Sequence, residues 1–327
     1  MLILLRGRLS DSGRSLLAQM HGSGYSGKGA LIRDKRIEER RQRMSFSNPE
    51  RSIPNSSTPG RVLRVAYGSD ARQFGELYLP DRPGPYPAVV LIHGGFWRAP
   101  YELGLMTGLA VDLATRGIAA WNIAYRRIGD PGGGWPETLL DVARATDYLR
   151  ILASNQRLDL QRTVAIGHSA GGHLALWLAA RPRIARRGPL ASASLAGQHE
   201  GAAGVRLAGA ISLAGVADLQ LGWQLRLSRN AVAELLGGGP DEVPERYAVA
   251  SPAALLPLGV PQILVHGTKD ESVPVAISRA YAQAALAAGD PVTLIELPDV
   301  DHFALIDRHA AAWATTVAAL QRLLTQL

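Results

Sequence analysis

The chain has 327 residues, 35 Lys and Arg against 28 Asp and Glu, and no cysteine. A chain this long can bury a core that needs no cross-links, and the missing cysteines exclude a disulfide scaffold, a Cys nucleophile and a thiolate metal site. The net charge of +7 is not a nucleic-acid signal, because residues 1–60 hold 11 basic and 5 acidic side chains and the remainder holds 24 and 23. The body of the chain is therefore nearly neutral, with no basic face to attract phosphates.

Residues 1–60 are rich in Gly, Ser and Arg and keep neither a strand nor a helix period, so a disordered basic segment is predicted there. Met44 is a second candidate start. No run reaches the roughly 18 apolar residues of a membrane span. Leu2 to Leu5 are cut short by Arg6 and Arg8, well below the apolar length of a secretory signal. A cytoplasmic protein with neither a membrane nor a nucleic-acid partner is expected.

From Arg61 to residue 327 a single domain is predicted. Val62 to Tyr67 and Glu76 to Leu79 alternate apolar with polar, as two early antiparallel strands do. Ala88 to Ile92 is a continuous apolar run, expected of a strand buried on both faces. Helix then alternates with strand: helix Glu102 to Thr115, strand Ile118 to Ile123, helix Glu137 to Leu152, strand Thr163 to Ile166, helix Ala170 to Ala180. Strands follow at Ala208 to Leu213 and Gln262 to Val265, then helix Ile277 to Ala288, strand Val292 to Leu297 and a last helix from Ala304 to Leu324. This order predicts an α/β fold, a doubly wound, mostly parallel sheet flanked by helices. Arg183 to Val205 and Val216 to Leu258 interrupt it as insertions, and the second is placed to act as a small cap over the carboxyl ends of the strands.

Gly167-His168-Ser169-Ala170-Gly171 falls between a predicted strand and a predicted helix. A serine at such a turn is held in strained backbone geometry with its hydroxyl exposed at the helix N-terminus, and the Ala170 amide points at a developing oxyanion. His93-Gly94-Gly95-Phe96-Trp97 follows the buried strand, and its paired glycines let the Gly95 and Phe96 amides approach a substrate oxygen; His93 is read as a packing residue. A serine hydroxyl needs a base. His302, between the strand ending at Leu297 and the final helix, is the candidate. His168 and His173 are assigned to packing, His93 and His266 precede glycine-containing turns, and His21, His199 and His309 fall in the tail, the first insertion and the last helix. Asp270, just past the strand Gln262 to Val265, is the candidate for orienting the imidazole, with Glu271 as its substitute; Asp301 is too near His302 in sequence to face it. Phe96, Trp97, Trp135 and Trp223 are candidates for the substrate pocket, Trp97 the best placed. The loop Gly129 to Trp135 is a candidate mobile segment.

Over roughly residues 61–327 the chain resembles the α/β-hydrolase superfamily. Its HGGFW loop, GHSAGGH elbow and HGTKDESVP turn are similar to those of bacterial esterases and kynurenine-formamidase-like hydrolases, and to the hormone-sensitive-lipase-like and acetyl-xylan or feruloyl esterase-like groups. Phe96 stands where lipase-type loops carry a third glycine, which favours the formamidase and esterase branches. The resemblance implies an α/β-hydrolase fold and hydrolysis of a small-molecule ester or amide through an acyl-serine, with Ser169, Asp270 and His302 as triad and no cofactor or metal. Two other readings are a prolyl-oligopeptidase-like peptidase and a non-catalytic binding protein on the same fold. The first is disfavoured by the absence of a propeller-sized segment before residue 61, the second by an intact triad.

Overall fold

The computed structural model describes residues 60–195 and 204–326. The predicted disorder of residues 1–60 (Gly60 apart), and the readings of His21 and His199, lie outside them.

Eight strands form one sheet: β1 (Arg61–Ala66), β2 (Phe74–Leu79), β3 (Tyr86–Ile92), β4 (Ala119–Ile123), β5 (Leu158–His168), β6 (Gly209–Leu213), β7 (Gln262–Gly267) and β8 (Val292–Leu297). Their order is β1-β2-β4-β3-β5-β6-β7-β8. The first two strands pair antiparallel and β2 meets β4 antiparallel, while every later pair is parallel. Every residue of β3 is buried, as its unbroken apolar run requires of a strand covered on both faces.

Alternate residues of each central strand feed two different layers. Val89, Leu91, Val164, Ile166, Ile211 and Leu213 form one core with α1 (Thr107–Thr115) and the last helix, α9 (Ala311–Thr325). The Trp313 indole donates to Asp112 Oδ2 at 2.7 Å and ties those two helices together. The opposite face is covered by α2 (Glu137–Asp147), α3 (Leu149–Gln156), α4 (Ala170–Ala179) and α8 (Val275–Ala287). There Trp121 of β4 donates to Ala145 O at 2.8 Å, and Tyr281 of α8 donates to Gln262 Oε1 of β7 at 2.6 Å. The fold is the doubly wound α/β-hydrolase arrangement.

The structure revises several predicted elements. The helix expected from Glu137 to Leu152 is two helices joined at Tyr148, and the one expected from Ala304 is a short 3-10 turn, Ala304–Ile306, followed by α9. His309 consequently lies exposed in the turn before α9, not on it. The helix expected from Glu102 likewise begins as a 3-10 turn, Leu103–Met106. The first insertion is anchored at both ends by Asp147. That carboxylate takes a bidentate pair from the almost fully buried Arg181 at 2.9 and 2.6 Å, and also accepts from the Val205 amide at 2.8 Å.

The second insertion, between β6 and β7, holds α5 (Leu219–Gln224), α6 (Ala231–Leu236) and α7 (Pro244–Ala250). Its root is closed: Ala253 N donates to Ala217 O, and Leu219 N to Ser251 Oγ, each at 3.1 Å. It docks on α4 through Trp177 Nε1, which donates to Val249 O at 2.9 Å, and on the Gly129–Trp135 loop through Trp135 N, which donates to Leu235 O at 2.9 Å. The same loop is fastened by Gly134 N to Thr138 Oγ1, and by the Asp130 carboxylate, which accepts from Arg72 and Arg127. These bonds tie the loop to α2, to the β1–β2 connection and to the second insertion. No helix among the described residues is long and apolar enough to cross a membrane.

Candidate active site

Ser169 sits between the last residue of β5 and the first of α4 with φ 56° and ψ −119°. That left-handed backbone is costly for a residue with a Cβ and turns the chain from strand to helix in one step. The turn fits only because residue 167 is glycine, whose Cβ would lie 1.9 Å from Gly171 O. Ser169 N donates to Leu213 O at 2.8 Å, fixing the elbow to β6, while Gly172 N and His173 N return to Ser169 O. The hydroxyl thus stands at the N-terminus of α4, where unpaired amides and the helix dipole favour negative charge.

The second loop lies directly against it. A Cβ on Gly94 would come within 2.9 Å of the Ser169 Cβ. Gly95 (φ 108°), Phe96 (φ 51°) and Trp97 (φ 57°) then form a left-handed run. At Gly95 no other residue fits, because a Cβ would strike the Tyr101 ring at 2.2 Å. The amides of Gly95, Phe96 and Ala170 donate to no acceptor among the described residues, so this corner of the site presents three backbone donors.

His302 is brought to the elbow by the chain after β8. Its Nδ1 donates to Asp270 Oδ2 at 2.6 Å, which leaves Nε2 of the neutral ring with a free lone pair. Asp270 Oδ1 accepts from the amides of Ser272 and Val273, both at 2.8 Å, so the carboxylate is clamped in one orientation. Burial alone would raise its pKa. The hydrogen bonds from His266 and His302 outweigh that and hold the carboxyl well below the usual range, ionised at any working pH. Of the alternatives, Glu271 is exposed to solvent, and Asp301 caps the following 3-10 turn through the amides of Phe303 and Ala304.

Three further histidines pack. His93 is fully buried, stacks on Tyr125 at 4.4 Å between ring centroids, and bonds through Nδ1 to Gly94 O. His168 bonds through Nε2 to His302 O at 2.9 Å, and His173 through Nε2 to Ala250 O at 2.9 Å. Burial pushes all three below the ordinary 6.5, to about 3, about 3 and about 4 respectively, so each is neutral. His266 was passed over in the sequence, yet it faces the same carboxylate. Its Nε2 is 2.8 Å from Val273 O and 3.3 Å from Asp270 Oδ2, a contact made where the chain turns after β7 and one that no periodicity signals.

One expectation is corrected. Trp97 is fully buried and its indole N–H donates to His173 Nδ1 at 3.2 Å, so the ring braces the loop instead of lining a pocket. Phe96, Trp135 and Trp223 are half-buried.

A strained serine elbow, a second loop with free amides and a histidine–carboxylate pair at the carboxyl edge of a parallel sheet define an α/β-hydrolase. More closely, the chain belongs to the BD-FAE family, whose profile matches residues 76–285. It is 26% identical over 232 residues to "Uncharacterized peptidase YtmA" of Bacillus subtilis, covering 69% of this chain and 80% of that protein. It is 28% identical to "Probable carboxylic ester hydrolase LipM" of Mycobacterium tuberculosis over 76% of this chain, but the match spans only 56% of that protein. A yeast "Kynurenine formamidase", from Meyerozyma guilliermondii, matches at 33% over 34% of this chain and 40% of its own length. Among solved structures, a truncated carbohydrate esterase from gut microbiota superposes with TM-score 0.69 at 22% identity, covering 84% of this chain and all of that one. At that identity the likeness speaks for the fold.

Proposed function

We propose that this chain is a serine hydrolase that cleaves a small carboxylic ester or aryl-formamide through an acyl-serine, with Ser169 as nucleophile, His302 as general base and Asp270 as orienting acid. The observation that carries the reading is the 2.6 Å bond from His302 Nδ1 to an ionised, doubly capped Asp270, on a histidine packed against the serine elbow. His302 Nε2 takes the Ser169 proton as Oγ attacks the substrate carbonyl, and Asp270 stabilises the resulting imidazolium. The carbonyl electron pair moves onto the oxygen, where amides from Gly95, Phe96 and Ala170 receive it, each donor worth about 3 kcal/mol of barrier. Collapse expels the alcohol or amine, which takes the proton from His302. Water, deprotonated by the same ring, then releases the acid and restores Ser169.

The BD-FAE membership and the LipM likeness support the ester over other acyl compounds. The YtmA likeness supports a second reading, in which the scissile bond is a peptide. Fluorophosphonate labelling of the purified protein beside Ser169→Ala tests the class. An adduct on Ser169 that disappears in the variant is the expected result. No adduct on folded wild-type protein would sink the proposal and bring the binding-protein reading forward. Parallel turnover of p-nitrophenyl esters, aryl-formamides and peptide anilides then separates the substrate readings, with the esters expected to be fastest.

A further inference from the structure

The loop that carries the Gly95 and Phe96 amides ends in a grip on the cap. Arg98 sits two residues beyond Phe96. Its Nε and Nη2 donate to the two carboxylate oxygens of Glu234 on α6, both at 2.9 Å. Its Nη1 donates to Ser228 Oγ and its Nη2 to Ser228 O, both at 2.8 Å. Four hydrogen bonds from one planar guanidinium fix orientation as well as distance. At its other end Arg98 is wired into the loop. Arg98 N donates to Gly95 O at 3.0 Å, closing the turn over Phe96 and Trp97, and the backbone bridges to Ile128 through Ile128 N to Trp97 O at 2.7 Å and Ala99 N to Ile128 O at 2.9 Å.

The cap segment that Arg98 grasps is itself strained. Arg226, Ser228, Arg229 and Asn230 all have left-handed φ, of 51°, 44°, 58° and 65°. Left-handed residues ordinarily occur singly, and three in succession persist only where the surroundings hold them. Arg98 takes both the side chain and the carbonyl of the first of those three. The ion pair is partly open to solvent, with side-chain exposures of 23% for Arg98 and 44% for Glu234, so its attraction is screened and small as a source of stability. Its specificity lies in geometry.

We propose that Arg98 is a positioning residue through which the docked cap sets the Gly95 and Phe96 amides for catalysis. The proposal rests on the serine-hydrolase reading above and adds to it that the cap is part of the oxyanion machinery and not only a wall of the pocket. Loss of the grip lets the turn Gly95–Arg98 relax, and a misplacement of about 1 Å in such donors costs on the order of a hundredfold in rate.

The test uses the full chain as Arg98→Ala, Arg98→Lys, Glu234→Ala and the double variant Arg98→Ala/Glu234→Ala. Fluorophosphonate titration first counts competent Ser169 sites, so that kcat is expressed per active site and misfolded protein drops out. Wild-type labelling also tests the underlying class independently of Arg98. With p-nitrophenyl esters, kcat is expected to fall about thirtyfold in Arg98→Ala, with KM changed less than about threefold. Arg98→Lys, a point charge without the planar fork, falls nearly as far. Glu234→Ala falls less, and the double variant matches Arg98→Ala, because both changes remove one interaction. A kcat per site in Arg98→Ala and Arg98→Lys within twofold of wild type would overturn the proposal, as would an effect confined to KM or strictly additive losses in the double variant. If Arg98→Ala yields no folded protein, Arg98→Lys and Glu234→Ala decide the matter by the same criteria.

Discussion

His168 Nε2 donates to the backbone carbonyl of His302 across 2.9 Å, and the two imidazole rings lie 4.4 Å apart. The residue immediately before the proposed nucleophile thus fastens the main chain of the residue proposed as its base. Because His168 is neutral, it can do this without adding a positive charge that would oppose protonation of His302.

Replacing His168 by Ala removes that donor and frees the loop that carries His302. The expected loss in kcat is about ten- to hundredfold, with active-site titration by fluorophosphonate still complete. Gln, which keeps an N–H donor, is expected to recover part of it. Equal kcat in all three proteins would show that β8 and the Asp270 bond hold His302 without help.

Asp270→Asn keeps the shape of the side chain but can offer an N–H to His302 Nδ1 and so favour the wrong tautomer. A fall in kcat of about ten-thousandfold is expected, as for orienting acids in serine hydrolases generally. Glu271→Gln, on an exposed side chain, is expected to change kcat less than about twofold. Steady-state kinetics of the pair decides between the two carboxylates: a large loss in Glu271→Gln would reverse the assignment.

Three buried histidines set the acid sensitivity of the fold. His93, His168 and His173 have folded pKa values of about 3, about 3 and about 4, each below the unfolded 6.5. Between those values the unfolded chain binds protons that the folded one refuses, so stability is complete above pH 6.5 and is lost as pH falls. Each group contributes a slope of about 1.4 kcal/mol per pH unit within its window. Asp270, whose carboxyl is also held below its ordinary value, keeps its full contribution down to the usual carboxylate range near 3.8 and loses it below. Urea unfolding at pH 7.5, 6 and 5 is expected to show a steep decline below 6.5. A flat profile would mean that these rings are solvated.

Trp97→Phe leaves the buried His173 Nδ1 without its donor, a loss expected to cost about 1–3 kcal/mol in stability. Since the indole meets His173 and not solvent, KM for small esters is expected to stay within about twofold. A thermal melt beside a Michaelis curve checks both halves, and a large rise in KM at unchanged Tm would return Trp97 to the pocket.

The elements that hold the site were legible because they depend on local rules. The apolar run Ala88 to Ile92 can only be a central strand, and a G-x-S-x-G between strand and helix leaves the serine one conformation. What escaped depends on side chains that meet across the fold. Asp307, whose carboxylate turns back to His309 N at 2.9 Å, lies where the last helix is interrupted, in a stretch without Pro or Gly to mark it. The start of β5 was missed because Leu158 and Asp159 pair with Tyr86 and Pro87, after which the register shifts so that Thr163 meets Ala88. Asp159 folds the intervening residues by accepting from Gln161 N and Arg162 Nε, and a polar stretch of that kind reads as loop. Trp97 was misread for a similar reason: its partner, His173, lies 76 residues away. The Arg98–Glu234 grip spans 136 residues, and no periodicity carries such information.

The closed root of the insertion between β6 and β7 makes it a detachable unit. With Ala217 bonded to Ala253 and Leu219 to Ser251, the chain leaves the sheet and returns to it at nearly one point. The entropic cost of a longer or shorter excursion from a fixed root grows only slowly with length. Exchange of such a segment for that of a relative keeps the point of exit and return, but it also removes Val249 O and Ala250 O, the acceptors that meet Trp177 and His173 of α4. A chimaera made this way needs its borrowed segment to replace those acceptors and to supply a carboxylate for Arg98, so the graft must carry its docking contacts with it.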